Sequence, residues 1–202
     1  MIEKSPKSEE IIRPILRGRD IKRYGYEFAD LFLITTFPSL KIDIEEYPAV
    51  KEHLLSFGYD RLKQTGEKGS RKKTNNQWFE IQDSISYWDD FSKQKIIWKR
   101  VGSILRFCYD ENDYTVLDSC CFATGEYLKF LVAALNSPMG HYLLKDSPQT
   151  GTGDLLISVQ AIEPLKIPIP NIETKAKIEN LIDSIHIKSM LDNELIINKL
   201  IY

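Results

Sequence analysis

Residues 11–37 open with Ile11-Ile-Arg-Pro-Ile-Leu-Arg17, and the apolar run from Leu31 to Thr36 reads as a strand that Pro38 ends. From Ile44 to Phe57 the period changes to that of a helix. Pro48 suits its first turn, and Val50, Leu54, Leu55 and Phe57 recur at helical spacing. Arg61 to Lys73 is polar and contains glycine, which predicts a long exposed loop. Three short β-branched or aromatic runs follow: Lys95 to Val101, Ile104 to Tyr109 and Tyr114 to Leu117. Gly102-Ser103 and Asp110 to Asp113 separate them as turns, so the pattern predicts an antiparallel meander. Glu126 to Asn136 is helical, Ser137-Pro138 ends it, and a second helix begins over Met139 to Leu144. Asp146 to Gly153 reads as a flexible loop, and Leu165-Lys-Ile-Pro-Ile-Pro170 as an extended segment whose prolines suit a sheet edge.

The chain closes on one long helix from Glu173 to about Leu200, with a broad apolar face of Ile178, Leu181, Ile182, Ile185, Leu191, Leu195 and Ile196. These elements predict an α+β fold: a curved, mostly antiparallel sheet flanked by helices, with a long C-terminal helix. The expected division is an N-terminal extension over 1–10, a main domain over 11–170, and a helix over 171–202 that packs on the domain or on a partner. No internal repeat is visible. At 202 residues and 43% apolar content the chain is long enough for a sizeable core. Its longest apolar runs are far below the roughly 18 residues that span a bilayer. The N-terminus lacks the apolar core of a signal peptide, and the expected location is the cytoplasm.

Charge sharpens this picture. The 27 Lys and Arg nearly cancel the 29 Asp and Glu, for a net charge of −2. That sum argues against a uniformly cationic nucleic-acid binder, but the charges are segregated. Arg61 to Lys73 holds six basic residues and one acid, and Lys93 to Arg106 holds five basic residues and no acid. Arg13, Arg17, Arg19, Lys22 and Arg23 add a third basic stretch. Acids gather at Asp89-Asp90, at Asp110 to Asp113 and along the terminal helix. Basic loops are usually only solvated. Here the first loop runs into Asn75-Asn76-Gln77-Trp78-Phe79, which brings together cations for phosphates, amides that can pair with adenine in the major groove, and aromatic rings that can stack on bases. The candidate DNA-binding residues are therefore Arg17, Arg19, Lys22, Arg23, Lys68, Arg71, Lys72, Lys73, Asn75, Asn76, Gln77, Lys99, Arg100 and Arg106.

Catalytic chemistry has no matching motif. There is no phosphate-binding Gly-rich loop with a Lys-Ser/Thr ending, and Thr150-Gly-Thr-Gly153 lacks the flanking strand and helix of a nucleotide fingerprint. Asp89-Asp90-Phe-Ser-Lys93 does not have the carboxylate–lysine spacing of a nuclease, and no Asn/Asp-Pro-Pro-aromatic motif for methyl transfer to a base is present. The three cysteines have no Cys-x-x-Cys spacing, and the three histidines stand far apart, so no metal site is expected. The sequence describes a chain that binds rather than catalyses.

Six segments come in a telling order: Arg17-Gly-Arg-Asp-Ile-Lys-Arg-Tyr24, Pro48 to Leu55, Asn76-Gln-Trp-Phe-Glu80, Phe91 to Trp98, Tyr127 to Ser137, and Leu165 to Pro170. Together they resemble the TaqI-like C-terminal specificity domain, over roughly residues 11–190. The resemblance implies the target-recognition part of an adenine-N6 DNA methyltransferase, with an endonuclease fused in type IIG restriction–modification enzymes of prokaryotes. It implies double-stranded DNA as partner and an upstream methyltransferase domain that carries S-adenosylmethionine, with no cofactor in this chain. The target adenine would be flipped into that other domain. The resemblance assigns no base contacts, and the segment Arg17 to Tyr24 could serve structure, the domain junction or DNA. Two alternatives stand beside it: a module like a type I specificity subunit, and a protein–protein interaction module or homodimer acting through the C-terminal helix.

Overall fold

Ile12 and Ile15 are β-branched and Pro14 fixes its own φ, so Ile12–Leu16 extends as strand β1. The computed structural model describes residues 1–185. The chain divides into two units, and β1 is shared between them: Met1–Pro14 with Phe32–Asp89 form the first, and Ile15–Leu31 with Asp90 onward the second. In the first unit, Ile12 to Pro14 pairs antiparallel with β2 (Phe32–Ile34). Helix α1 (Pro48–Leu55) starts at the expected proline and buries Ala49 and Val50. Its core holds Ile11, Ile12, Ile44, Tyr47 and Val50, with Ile34, Leu54 and Phe79 packed against it. Gly58, at φ +90°, turns the chain into a one-turn helix α2 (Tyr59–Leu62). A long loop runs on from there.

The second unit centres on β3 (Lys95–Lys99), with β5 (Phe107–Asp110) on one side and β7 (Cys120–Thr124) on the other, both antiparallel. Side chains along β3 alternate as a strand requires. Ile96 and Trp98 enter the cluster of Leu105, Phe107, Leu128, Val132, Leu135 and Leu144, while Ile97 faces that of Leu16, Ile21, Cys108 and Cys120. Trp98 keeps its indole N–H satisfied by donating to the Ile157 carbonyl at 2.8 Å. Between these strands, β4 (Val101–Gly102) pairs with β8 (Leu155–Leu156), and β6 (Thr115–Val116) runs parallel to Ile15-Leu16.

Helices α3 (Leu128–Asn136) and α4 (Pro138–Leu144) follow, and Ser137 caps the second by accepting from the Met139 and Gly140 amides. Helix α5 (Val159–Ile162) is short. A further helix, α6, covers residues 172–185. Ile182 is buried and Ile178 packs on the same core, whereas Leu181 and Ile185 are exposed. The architecture is α+β, as expected.

Two local expectations are corrected. The meander is not formed by 95–101, 104–109 and 114–117, because the third strand of the sheet is β7, on the other side of β3. Cys120-Cys-Phe-Ala-Thr124 carries little β-branched signal, and only burial against β3 makes it a strand. The segment 165–170 joins no sheet. Its Ile167 to Pro170 lies beside Tyr127, Phe130 and Leu131 at the start of α3. The later part of the predicted terminal helix, with Leu191, Leu195 and Ile196, lies outside the described residues. Among the described residues no helix is long and apolar enough to cross a membrane, and no cluster could hold a metal ion.

Candidate nucleic-acid interface

The loop after α2 is exposed outside and built inside. Gln64 is 6% exposed. Its amide donates to the carbonyls of Gln77 at 3.0 Å and Glu80 at 2.8 Å, and its oxygen accepts from the Thr74 hydroxyl at 2.6 Å. The Arg71 guanidinium donates to the Leu62 carbonyl at 2.7 Å and to the Trp78 carbonyl. Burial pulls its pKa down from the ordinary value without removing its charge. Asn76 spends both amide hydrogens on the carbonyls of Ile81 and Gln82, at 2.9 and 3.1 Å. Backbone bonds from Arg71 N–H to Lys63 and from Thr74 N–H to Gln64 close the frame, and Thr36 ties it to β2 through the Phe79 carbonyl at 2.7 Å. Such bonds satisfy backbone groups that no regular ladder serves.

Of the candidate residues, Lys68, Lys72, Lys73, Asn75 and Gln77 remain on the outside, all exposed, with Thr65 and Glu67 exposed on the same loop. Lys63 is held otherwise: it lies 3.1 Å from both Asp60 and Glu67, and these bonds, Glu67 first, raise its pKa. Of the predicted residues in this unit, Arg71 and Asn76 therefore shape the loop and the other five face solvent. Sequence reasoning missed Gln64 and Thr74, because nothing in a polar loop marks which amide or hydroxyl turns inward.

In the second unit, Arg17 to Tyr24 forms a knot. The Arg17 guanidinium pairs two-pronged with Asp20, at 2.8 Å for Nη2–Oδ1. Those bonds hold the Asp20 carboxyl below its usual range although the residue is buried. Gly18 donates to the Ser119 hydroxyl at 2.9 Å, and a Cβ there would meet the Ser119 carbonyl at 2.8 Å. Ile21 is buried, and Arg23 donates to the Asn136 carbonyl at 2.8 Å. Lys22 pairs with Glu27 at 3.0 Å, and Arg19 is exposed. Arg106 joins this knot through the Ile21 carbonyl at 3.5 Å. Arg100 is exposed between β3 and β4, and Lys99 is half-buried. The segment thus organises its unit; Arg19 and Arg23 on it and Arg100 elsewhere in the unit are exposed.

Four further reactive groups of the second unit, Lys95, Cys108, Asp110 and Cys120, are buried. Lys95 and Asp110 form a 2.7 Å ion pair with no solvent exposure, and Lys95 also donates to the carbonyls of Phe91 and Asn112. Burial pushes the Cys108 thiol far up and the Cys120 thiol to about 12, which removes the thiolate a nucleophile needs.

Residues 13–169 match the model of the TaqI-like C-terminal specificity domain. The chain belongs to that family. The matched span of this TaqI-like domain runs from β1 past α5, and it contains every basic and amide residue placed above. Among solved structures, the type IIL restriction-modification enzyme MmeI, solved in complex with DNA, is similar at a TM-score of 0.53 and 14% identity. The match covers 95% of the TaqI-like chain and 25% of the MmeI chain, so the chain spans about a quarter of that enzyme's length. At that identity the likeness concerns the fold. No curated protein matches the sequence.

Proposed function

We propose that this specificity domain binds duplex DNA and reads its target through the outer side of the 63–82 loop. One observation carries the reading: the loop meets its own hydrogen-bonding needs with Gln64, Arg71, Thr74 and Asn76, and leaves Lys68, Lys72, Lys73, Asn75 and Gln77 facing out. Lysines at these places suit phosphates, which position the duplex. The amides of Asn75 and Gln77 suit adenine edges in the major groove, which specify it. Arg19 and Arg100 are the second unit's candidates for phosphate contact. The fold shared with a restriction–modification enzyme solved on DNA supports the reading.

Binding of the 202-residue chain to duplex DNA, followed as a function of salt, tests it. Affinity should fall steeply as salt rises, because each neutralised phosphate releases counterions. Replacing Lys68, Lys72 and Lys73 together by Ala should reduce the logarithmic salt slope by about 0.9 for each phosphate that is no longer neutralised. Binding that is absent at low salt, or unchanged in the triple variant, overturns the assignment. Gln77→Ala should leave that slope intact and instead cost about 1–3 kcal/mol of discrimination at one base pair.

In a parent enzyme this domain would work beside a methyltransferase domain that holds S-adenosylmethionine and receives the flipped adenine. Methylation at adenine N6, a fused endonuclease and a place in the prokaryotic cytoplasm belong to the same proposal. A pairing of two copies through the terminal helix rests largely on residues outside those described.

A further inference from the structure

Beside the outward lysines and amides, the first unit exposes an aromatic ring that their chemistry does not use. Tyr59 opens α2 directly after the left-handed Gly58, and it is 54% exposed. Its ring lies 5.8 Å from that of Trp78, tilted by 58°. Trp78 is fixed from two sides. Its ring meets Phe79 edge-on at 5.6 Å, with Phe79 packed on the unit's core, and its carbonyl accepts from Arg71. A rigid chain of contacts therefore runs from the core through Phe79 and Trp78 to Tyr59, and ends at a ring held in water. Gln77, one of the two outward amides, is the residue before Trp78, and Arg61 is exposed on the same short helix as Tyr59.

An exposed, pre-positioned ring gains most by covering an apolar group. Arg61 on the same helix, with Asp60 beside it paired to Lys63, and Lys72 and Lys73 on the loop that follows favour a polyanion as the partner of this unit over a protein face. In the major groove of DNA the apolar group available is the thymine C5-methyl, which stands beside the adenine edge that a Gln amide reads. Resting on the DNA-reading role of the loop, we propose that Tyr59, backed by Trp78, is a specificity-determining residue that packs against the C5-methyl of a thymine in the target. Tyr59 and Gln77 then read the two strands of an A·T pair, or of neighbouring pairs, by an apolar contact and a polar one.

The test selects bound duplexes from a randomised library with the 202-residue chain, then replaces each thymine of the selected sequence by uracil, one at a time. At one position the loss of the methyl should weaken wild-type binding about fourfold, the value of one buried methyl or methylene group. That penalty should vanish in Tyr59→Ala and persist in Tyr59→Phe, which keeps the ring. The phenylalanine variant also shows that the site still folds. A selected sequence with no uracil-sensitive thymine, or a penalty that survives in Tyr59→Ala, overturns the Tyr59 proposal and leaves DNA reading intact. Failure to enrich or bind any duplex overturns the DNA reading itself.

Discussion

Single polar side chains decide the shape of the candidate interface. Gln64 serves three partners at once, and a carboxylate in its place cannot donate to the carbonyls of Gln77 and Glu80. Gln64→Glu should cost about 2–3 kcal/mol in urea denaturation. It should also speed hydrogen exchange at the amides of Arg71 and Thr74, which close the loop. At Asp20 the prediction concerns pH. The Arg17 bonds lower its carboxyl pKa in the folded state, so its stabilisation is complete above the unfolded value near 4 and is lost as pH falls through the lower folded value. Acid unfolding should show this loss, and Asp20→Asn should remove that part of the pH dependence; an unchanged profile would exclude the pair as a contributor. The exposed positions 68, 72, 73, 75 and 77 were legible in the sequence because charge and amides at a glycine-containing loop belong in water. The inward turn of Gln64, Arg71 and Asn76 was not, since a loop has no period to say which side faces the protein.

Elements with punctuation were readable, and elements made by their neighbours were not. Pro48 starts α1, and Ser137-Pro138 divides α3 from α4, each by local chemistry that a sequence displays. Strand β7 has no such signal and exists through its ladder with β3, five residues long. The knot at Arg17 to Tyr24 was recognisable as a motif, but its work in holding Gly18 against Ser119 and Arg23 against Asn136 depends on residues about a hundred positions away. The α3–α4 corner supplies a test at this scale. A Cβ at Gly140 would lie 2.1 Å from the Leu135 carbonyl oxygen, a backbone atom that cannot step aside without moving α3. Gly140→Ala should therefore destabilise by about 3 kcal/mol, at the upper end of ordinary overpacking, as read from thermal or urea unfolding.

Across the whole chain, the near-neutral charge sum conceals a distribution. Lysines are held outward on one loop, while others are cancelled locally, as Lys63 is by Asp60 and Glu67 and Lys95 by Asp110. The order of the chain also has a kinetic cost. The second unit joins Ile15-Leu16 to Thr115-Val116, and residues 32–89 of the first unit lie between these partners. Closing so long a loop before its strands can pair is slow. Refolding from denaturant, followed by far-ultraviolet ellipticity, should take milliseconds to seconds, and completion within about 100 microseconds would contradict it.

The inward stitching of the 63–82 loop has a last consequence, for how such a domain changes over time. The bonds that keep the loop's shape come from Gln64, Arg71, Thr74 and Asn76, and none of the five outer side chains takes part in them. Surface exchanges of this kind usually alter stability by no more than about 0.5 kcal/mol. If these five side chains meet a duplex as proposed, they could be exchanged one at a time while the bonds that hold the loop stay in place, so a change of target would not require passing through an unfolded form.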